Sequence, residues 1–377
     1  MDAARESAEA IVVGGGLFGA AIAYGLAQTG IDTAMLDGGD DAIRAARGNF
    51  GLVWVQSKGL GLQRYADWSR ESAHLWDEFA VELRDASGID VAHQRRGGLH
   101  LLLDDDEVAA KRALIERMRA QAGPAGYDCE INDRDDAQAM LPDIRLGGAV
   151  RGASFCPHDG HVNPLRLLRA LHTGFTRAGG RCCPRRTVVR IARDGDGFAA
   201  ETTAGRIRGD KIVLAAGHGI AALAPMVGLN APIRPQRGQV LITERARPRI
   251  ALPMPEFRQT DEGGFQFGSS EEDVGFDDGT TLAVTSRIAA RAVRAFPELA
   301  GVRLVRSWGC LRVLTPDKCA IYDESETCPG AYVATSHSGV TLAAINARHI
   351  ASWIATGERP PDFDQFSARR FDVPTAA

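Results

Sequence analysis

Six residues near the start constrain this chain most. Gly14-Gly15-Gly16-Leu17-Phe18-Gly19 follows a short apolar run, Ala10 to Val13, and leads into a stretch of small residues from Gly19 to Gln28 that stops at Thr29-Gly30. A second apolar run, Thr33 to Leu36, ends on Asp37. This is the pattern of strand, glycine-rich turn, helix and strand. Gly14 permits the tight turn, Gly16 lets the backbone approach a pyrophosphate, and Gly19 allows the helix to pack closely on the strand. The helix then turns its positive end toward an anion. Asp37, about 20 residues beyond the turn, stands where a carboxylate takes ribose hydroxyls. It would repel the 2′-phosphate of NADP. The glycines alone also suit a turn without a ligand, but strands, helix and acid together point to a dinucleotide, with Leu17 and Phe18 among its contacts.

The rest of the chain narrows the class. With 377 residues, 45% of them hydrophobic and 24% charged, it can bury a large core as one two-part enzyme or two to three domains. A net charge of -4 excludes an overall nucleic-acid footprint. No run of 18 apolar residues suggests a membrane span, and the polar start lacks a secretory signal. Seven cysteines without a CxxC spacing read as free thiols in a reducing cytoplasm, with no metal site.

Further elements follow from periodicity. Leu62 to Arg84, Asp105 to Gln121, and a segment opened by Asn163-Pro164 and closed by Gly179 read as helices. Asp194-Gly195 marks a hairpin, and Lys211 to Leu214 a strand. Pro232 to Val284 reads as mostly β. Ala331 to Ala334 is a strand, a short strand leads from Trp308 to Arg312, and a late helix covers His349 to Ile354.

Four stretches resemble the D-amino acid oxidase superfamily of FAD-dependent oxidoreductases. They are Gly14 to Gly19 with Asp37; Arg47-Gly48-Asn49-Phe50-Gly51-Leu52-Val53; Leu214-Ala215-Ala216-Gly217; and Trp308 to Asp317 followed by Thr335 to Leu342. Gly48 to Gln56 and His337-Ser338-Gly339-Val340-Thr341-Leu342-Ala343 most resemble the β subunits of opine oxidases and D-hydroxyproline dehydrogenases. The resemblance implies an α/β fold: a Rossmann-type, glutathione reductase-like FAD domain (1–85, 146–222, 303–377) interwoven with an antiparallel-sheet substrate domain (86–145, 223–302). It implies non-covalent FAD contacted by the residues of those stretches and by Val189. It also implies oxidation of the C–N bond of a carboxylate-bearing amine (an opine, imino acid or D-amino acid), by hydride transfer to flavin N5 and then imine hydrolysis. A second flavoprotein subunit and a small iron–sulfur subunit accompany such chains. The alternatives are an oxygen-using oxidase of the glycine or sarcosine type and a non-catalytic FAD-binding subunit.

Single residues follow from the same resemblance. Arg312 falls at the arginine that clamps substrate carboxylate, a fork-to-carboxylate match; its other reading is a flavin contact or surface ion pair. His337 is a turn residue at the flavin edge or a proton-transfer group. Gln266 stands where monomeric sarcosine oxidases carry an oxygen-activating lysine; it and Gln239 are pocket residues or plain sheet positions. Cys310 aligns with a cysteine that is bonded to flavin in those enzymes, or is a buried free thiol. His158-Asp159-Gly160-His161 resembles a segment that holds FMN at a subunit interface, or is a turn.

Overall fold

The computed structural model describes residues 6–39, 44–247, 249–268 and 270–372, so the outermost ends of the expected FAD domain lie outside it. The first strand, Ser7–Val13, lies between Gly205–Leu214 and Thr33–Leu36, parallel to both. Arg181–Cys183 extends the parallel sheet beyond Thr33–Leu36, and Ala331–Thr335 extends it beyond Gly205–Leu214. Ile321–Glu324 closes the edge in antiparallel fashion. The expected hairpin is Val188–Asp194 with Gly197–Thr202, paired on the start of Gly205–Leu214.

Small residues explain the packing of the first helix, Leu17–Gln28, which is buried from Leu17 to Ala27. At Gly25 a Cβ would lie 1.9 Å from the carbonyl oxygen of Ala347, so this helix meets the C-terminal helical run backbone to backbone. Helix starts are capped as their sequences suggest. Asp104 accepts from Glu107 N–H at 2.9 Å, and Asn163 accepts from Arg166 N–H at 3.2 Å.

A second layer holds two antiparallel sheets. Gly98–Leu102, Gly152–Cys156 and Glu130–Asp133 form one. Phe257–Gln259, Gly264–Phe267, Arg234–Arg245 and Leu304–Leu314 form the other. They share one core, in which Leu99, Leu101 and Ala153 meet Leu241, Phe257 and Phe265. Two strands near the starts of expected cofactor-side segments, Gly152–Cys156 and Leu304–Leu314, are hydrogen-bonded into these sheets.

Two local expectations need correction. Pro232 to Val284 is not mostly β: its strands are Arg234–Arg245, Phe257–Gln259 and Gly264–Phe267, and a helix, Leu282–Ala295, begins inside the range. Its buried Val284, Ile288, Ala292 and Ala295 repeat with helical spacing, which the glycines and prolines upstream obscured. Arg312 also does not follow a short strand. It lies inside the eleven-residue strand Leu304–Leu314, opposite Gln236.

Candidate cofactor and substrate site

The glycine-rich turn sits at the C-terminal ends of the parallel strands, where open α/β sheets bind ligands. Gly14 has φ +110, and a Cβ there would lie 2.4 Å from the Ala215 carbonyl oxygen. The strand-end residues Ala215 and Ala216 are thus packed directly on the turn. At Gly19 a Cβ would lie 1.9 Å from Gly14 O, the close helix–strand approach that the motif exists to allow. Gly16 differs: a Cβ would meet only Ala46 Cβ, at 3.8 Å. Space beside Gly16, at a helix N-terminus, fits a pyrophosphate. Asp37 accepts from Gly15 N–H at 2.7 Å and Gly39 N–H at 3.0 Å, and pairs with Arg44 at 3.0 Å. Its carboxylate therefore lies on the turn itself. Arg186 N–H donates to Asp37 O at 2.7 Å. Val189, three residues further on, turns its side chain to solvent.

The loop from Arg47 to Leu52 is held from several sides. The Asn49 side chain donates to Ala45 O and Ala46 O and accepts from Gly51 N–H at 2.8 Å, so it organises its own turn. Gly51 has φ +76, and a Cβ there would lie 2.3 Å from Val162 O. Phe50 packs against Gly268, and Leu52–Val53 pairs with Gly160–His161. Arg47 is exposed. Gln266, buried, donates to Asn49 O at 3.3 Å, so this side chain belongs to the loop's surroundings. Gln239 instead bonds Glu272 and Thr281 N–H.

Arg312 crosses this junction. Its Nη1 donates to Ser270 O at 2.9 Å and more weakly to Arg237 O at 3.4 Å. The guanidinium lies flat across Gly238, where a Cβ would sit 2.6 Å from Nη2. That explains a glycine between Arg237 and Gln239. Arg237 is neutralised by Glu272 at 2.8 Å and Asp277 at 2.5 Å. Arg312 has no carboxylate within ion-pair distance among the described residues. Burial lowers its pKa, against the more distant Glu271, the Cys310 thiol and Glu272. Cys310 beside it is buried, and desolvation pushes its thiol up to about 11.

The turn after Ala331–Thr335 completes the site. Gly339 lies against Leu17 and Phe18, with a notional Cβ at 3.3 Å from Leu17 Cβ. Val340 is buried. Thr341 Oγ1 accepts from Trp54 N–H at 3.0 Å, and its carbonyl accepts from Ser72 and Trp76. His337 Nδ1 is buried without a partner. Burial, with the Lys58, Arg312 and Lys318 charges, holds this imidazole well below its ordinary pKa, so it is neutral. Ser338 Oγ accepts from the Lys58 ammonium and from Tyr65 OH at 3.0 Å. Lys58 and Tyr65 carry no mark in the sequence that would place them here.

The segment His158 to His161 serves four different ends. His158 bonds Asp128 at 2.5 Å and His74 at 3.0 Å near the surface. Asp159 is fully buried and accepts from Val55 N–H, Gln56 N–H and the Gln56 side chain at 2.5, 3.3 and 2.8 Å. Gly160 carries the strand pairing, and His161 Nδ1 lies 3.3 Å from Arg258. Among the described residues no group of His, Cys, Asp and Glu is arranged to hold a metal ion. Nor is any described helix long and apolar enough to cross a membrane.

Comparison with known proteins agrees with this geometry. The family model described as FAD dependent oxidoreductase (DAO) matches residues 9–353. An opine oxidase subunit of Agrobacterium tumefaciens (strain Ach5) is 41% identical over 97% of this chain and 98% of its own. Its Rhizobium meliloti counterpart is 40% identical over the same shares. The structure of glycine oxidase from Geobacillus kaustophilus superposes with a TM-score of 0.86 at 24% identity, covering 96% of this chain and 98% of that one. The glycine cradle, the open space at Gly16 and the orphaned imidazole nitrogen of His337 all suit the cofactor the family is named for. The chain belongs to the DAO family of FAD-dependent oxidoreductases.

Proposed function

We propose that this protein dehydrogenates the C–N bond of a carboxylate-bearing amine, such as an opine, imino acid or D-amino acid, as one subunit of a larger enzyme. The observation that carries the reading is Arg312, a largely desolvated guanidinium at the cofactor junction with no carboxylate of its own. A half-buried cation without a counter-charge is costly unless an anion joins it. A substrate carboxylate would, and would then hold the adjacent carbon in one place. Bound FAD supplies the two-electron acceptor for hydride from that carbon. The resulting imine takes up water and its C–N bond breaks, giving an oxo acid and an amine. This chain's residues bind and orient: Arg312 anchors the substrate, the Gly48–Gly51 loop and Gln266 shape the wall, and neutral His337 offers a ring nitrogen at the turn.

Two features favour transfer to a carrier over oxygen. Gln266 stands where monomeric sarcosine oxidases of the resemblance carry an oxygen-activating lysine, and the relatives at 40% identity and above are named as subunits. A partner flavoprotein and an iron–sulfur subunit would supply that outlet. The test compares turnover of opines, imino acids and D-amino acids with that of their decarboxylated analogues, using a dye acceptor. Activity confined to the carboxylates supports the reading; equal activity on both series removes the role given to Arg312.

A further inference from the structure

We infer that Lys58 is a charge-supplying positioning residue of the cofactor site: held against Ser338, its ammonium sets a desolvated positive charge beside the bound flavin and favours the reduced form. This rests on FAD binding and not on the proposed amine substrate.

Four observations carry it. First, the ammonium donates to Ser338 Oγ, which also accepts from Tyr65. Ser338 belongs to the turn that packs on the N-terminus of the first helix and closes the C-terminal edge of the parallel sheet. Second, the segment that delivers Lys58 is over-determined. Asp159 takes both backbone N–H groups of Val55 and Gln56 and the Gln56 side chain. Ser57 is held at φ +67 while its N–H donates to Tyr127 OH at 2.7 Å. A non-glycine residue in the left-handed region persists only where its surroundings enforce it. Third, among the described residues Lys58 has no carboxylate within ion-pair distance. Fourth, only four of the 44 basic residues are lysines, and two of them, Lys58 and Lys111, flank Ser57 in this network. Elsewhere the chain uses arginine.

The electrostatic consequence is direct. Hydride brings two electrons and one proton to a neutral ring, which gains one negative charge. Charge near the ring is one of the means by which a protein tunes it, and its effect is large where water is excluded. Desolvation draws the Lys58 pKa down to about 8, partly opposed by Cys319 and Asp159. The amine is therefore cationic at neutral pH and loses its charge above it. The groups facing it are Asp159, pushed up to about 7 by burial; Cys319, pushed up to about 12; Tyr65, also about 12; neutral His337; and Lys111 beyond Ser57, which burial lowers.

The test is the midpoint potential of the bound flavin, measured without any amine on the holoenzyme, on Lys58→Met and on Lys58→Arg. Lys58→Met at neutral pH should lower the oxidised-to-reduced equilibrium by about tenfold or more, ~30 mV for a two-electron couple. Lys58→Arg, permanently charged, should stay close to wild type. Wild type should also lose potential as pH rises through about 8, beyond the fall seen in either variant. An unchanged potential in a folded, flavin-loaded Lys58→Met overturns the inference. So does an equal drop in the arginine variant, which would mean packing alone. If Lys58→Met retains no flavin, the wild-type titration decides: no additional fall between about pH 7 and 9 rejects the charge. No amine is present, so failure of the substrate reading would leave these results untouched.

Discussion

The indole N–H of Trp308 donates to the carbonyl oxygen of Gly48 at 3.0 Å. The strand that carries Arg312 is thereby fastened to the loop that runs into Asn49, and Gln266 repeats the fastening one carbonyl later. On the reading proposed above, the anchoring strand and the cofactor-side loop are held together by these two bonds, and small misplacements between them would cost rate.

Arg312→Lys keeps the charge and loses the planar fork. The kcat/KM for a carboxylate-bearing amine should fall by about tenfold or more, ~1.4 kcal/mol, while flavin content stays normal. Gly238→Ala should give a similar loss without touching the guanidinium chemically, because a Cβ there displaces Arg312 from its seat. Steady-state kinetics with a dye acceptor, alongside flavin absorbance, checks both. Unchanged kinetics places the anchor elsewhere, and loss of flavin makes Arg312 a cofactor residue.

The glycines of the turn should separate into two kinds. Gly16→Val should fold and remain colourless, because its side chain enters open space that the pyrophosphate needs. Gly19→Ala should instead destabilise the fold, since its Cβ would lie 1.9 Å from Gly14 O. Thermal melts and the flavin-to-protein absorbance ratio distinguish them. A yellow Gly16→Val variant refutes the role given to Gly16.

Cys310 should carry no bond to flavin. Its thiol is buried and held protonated near 11, whereas the nucleophile is the thiolate. Acid precipitation should leave the yellow colour in the supernatant. Colour that stays in the pellet and disappears in Cys310→Ser shows the opposite.

Acid should destabilise the protein well before its carboxylates titrate. Burial pulls His93 to about 4 and His161 to about 3, and holds His337 well below its ordinary value. Below about 6.5 the unfolded chain binds these protons and the folded chain does not, so stability falls as pH drops through that window. Asp159, raised to about 7, acts in the opposite sense, since the folded form holds its proton and stability declines as pH rises toward 7. Three imidazoles outweigh one carboxyl. Melting temperature should rise between about pH 5 and 6.5, and less steeply in His337→Gln. A flat or falling profile contradicts the burial of neutral imidazoles.

The cofactor end was legible because its constraints are local. Glycines at 14, 16 and 19, a buried small-residue helix and Asp37 all act within one β–α–β unit. The caps of the helices at Asp104 and Asn163 were legible for the same reason. The Leu282–Ala295 helix was hidden behind turn residues, although Val284, Ile288 and Ala292 already repeat every fourth position. Lys58 could not be read at all, and Asp159 only as part of the His158-to-His161 segment, not as the buried acceptor for Val55 and Gln56. Their partners lie 280 and 104 residues away, and nothing in Trp54 to Lys58 marks a desolvated amine beyond the scarcity of lysine. Gly238 shows the same limit, since its reason is a side chain from another strand.

The roles given to Arg312 and to the flavin site require that this chain carry out the reductive half-reaction itself. The most direct measurement is anaerobic mixing of the purified yellow protein with opines, imino acids and D-amino acids while the flavin absorbance is followed, then admission of air. The prediction is rapid bleaching with at least one carboxylate-bearing amine, formation of the matching oxo acid, and slow recovery in air that a dye acceptor accelerates. Flavin that stays fully oxidised with every such amine, in protein shown to be folded and loaded, would contradict it.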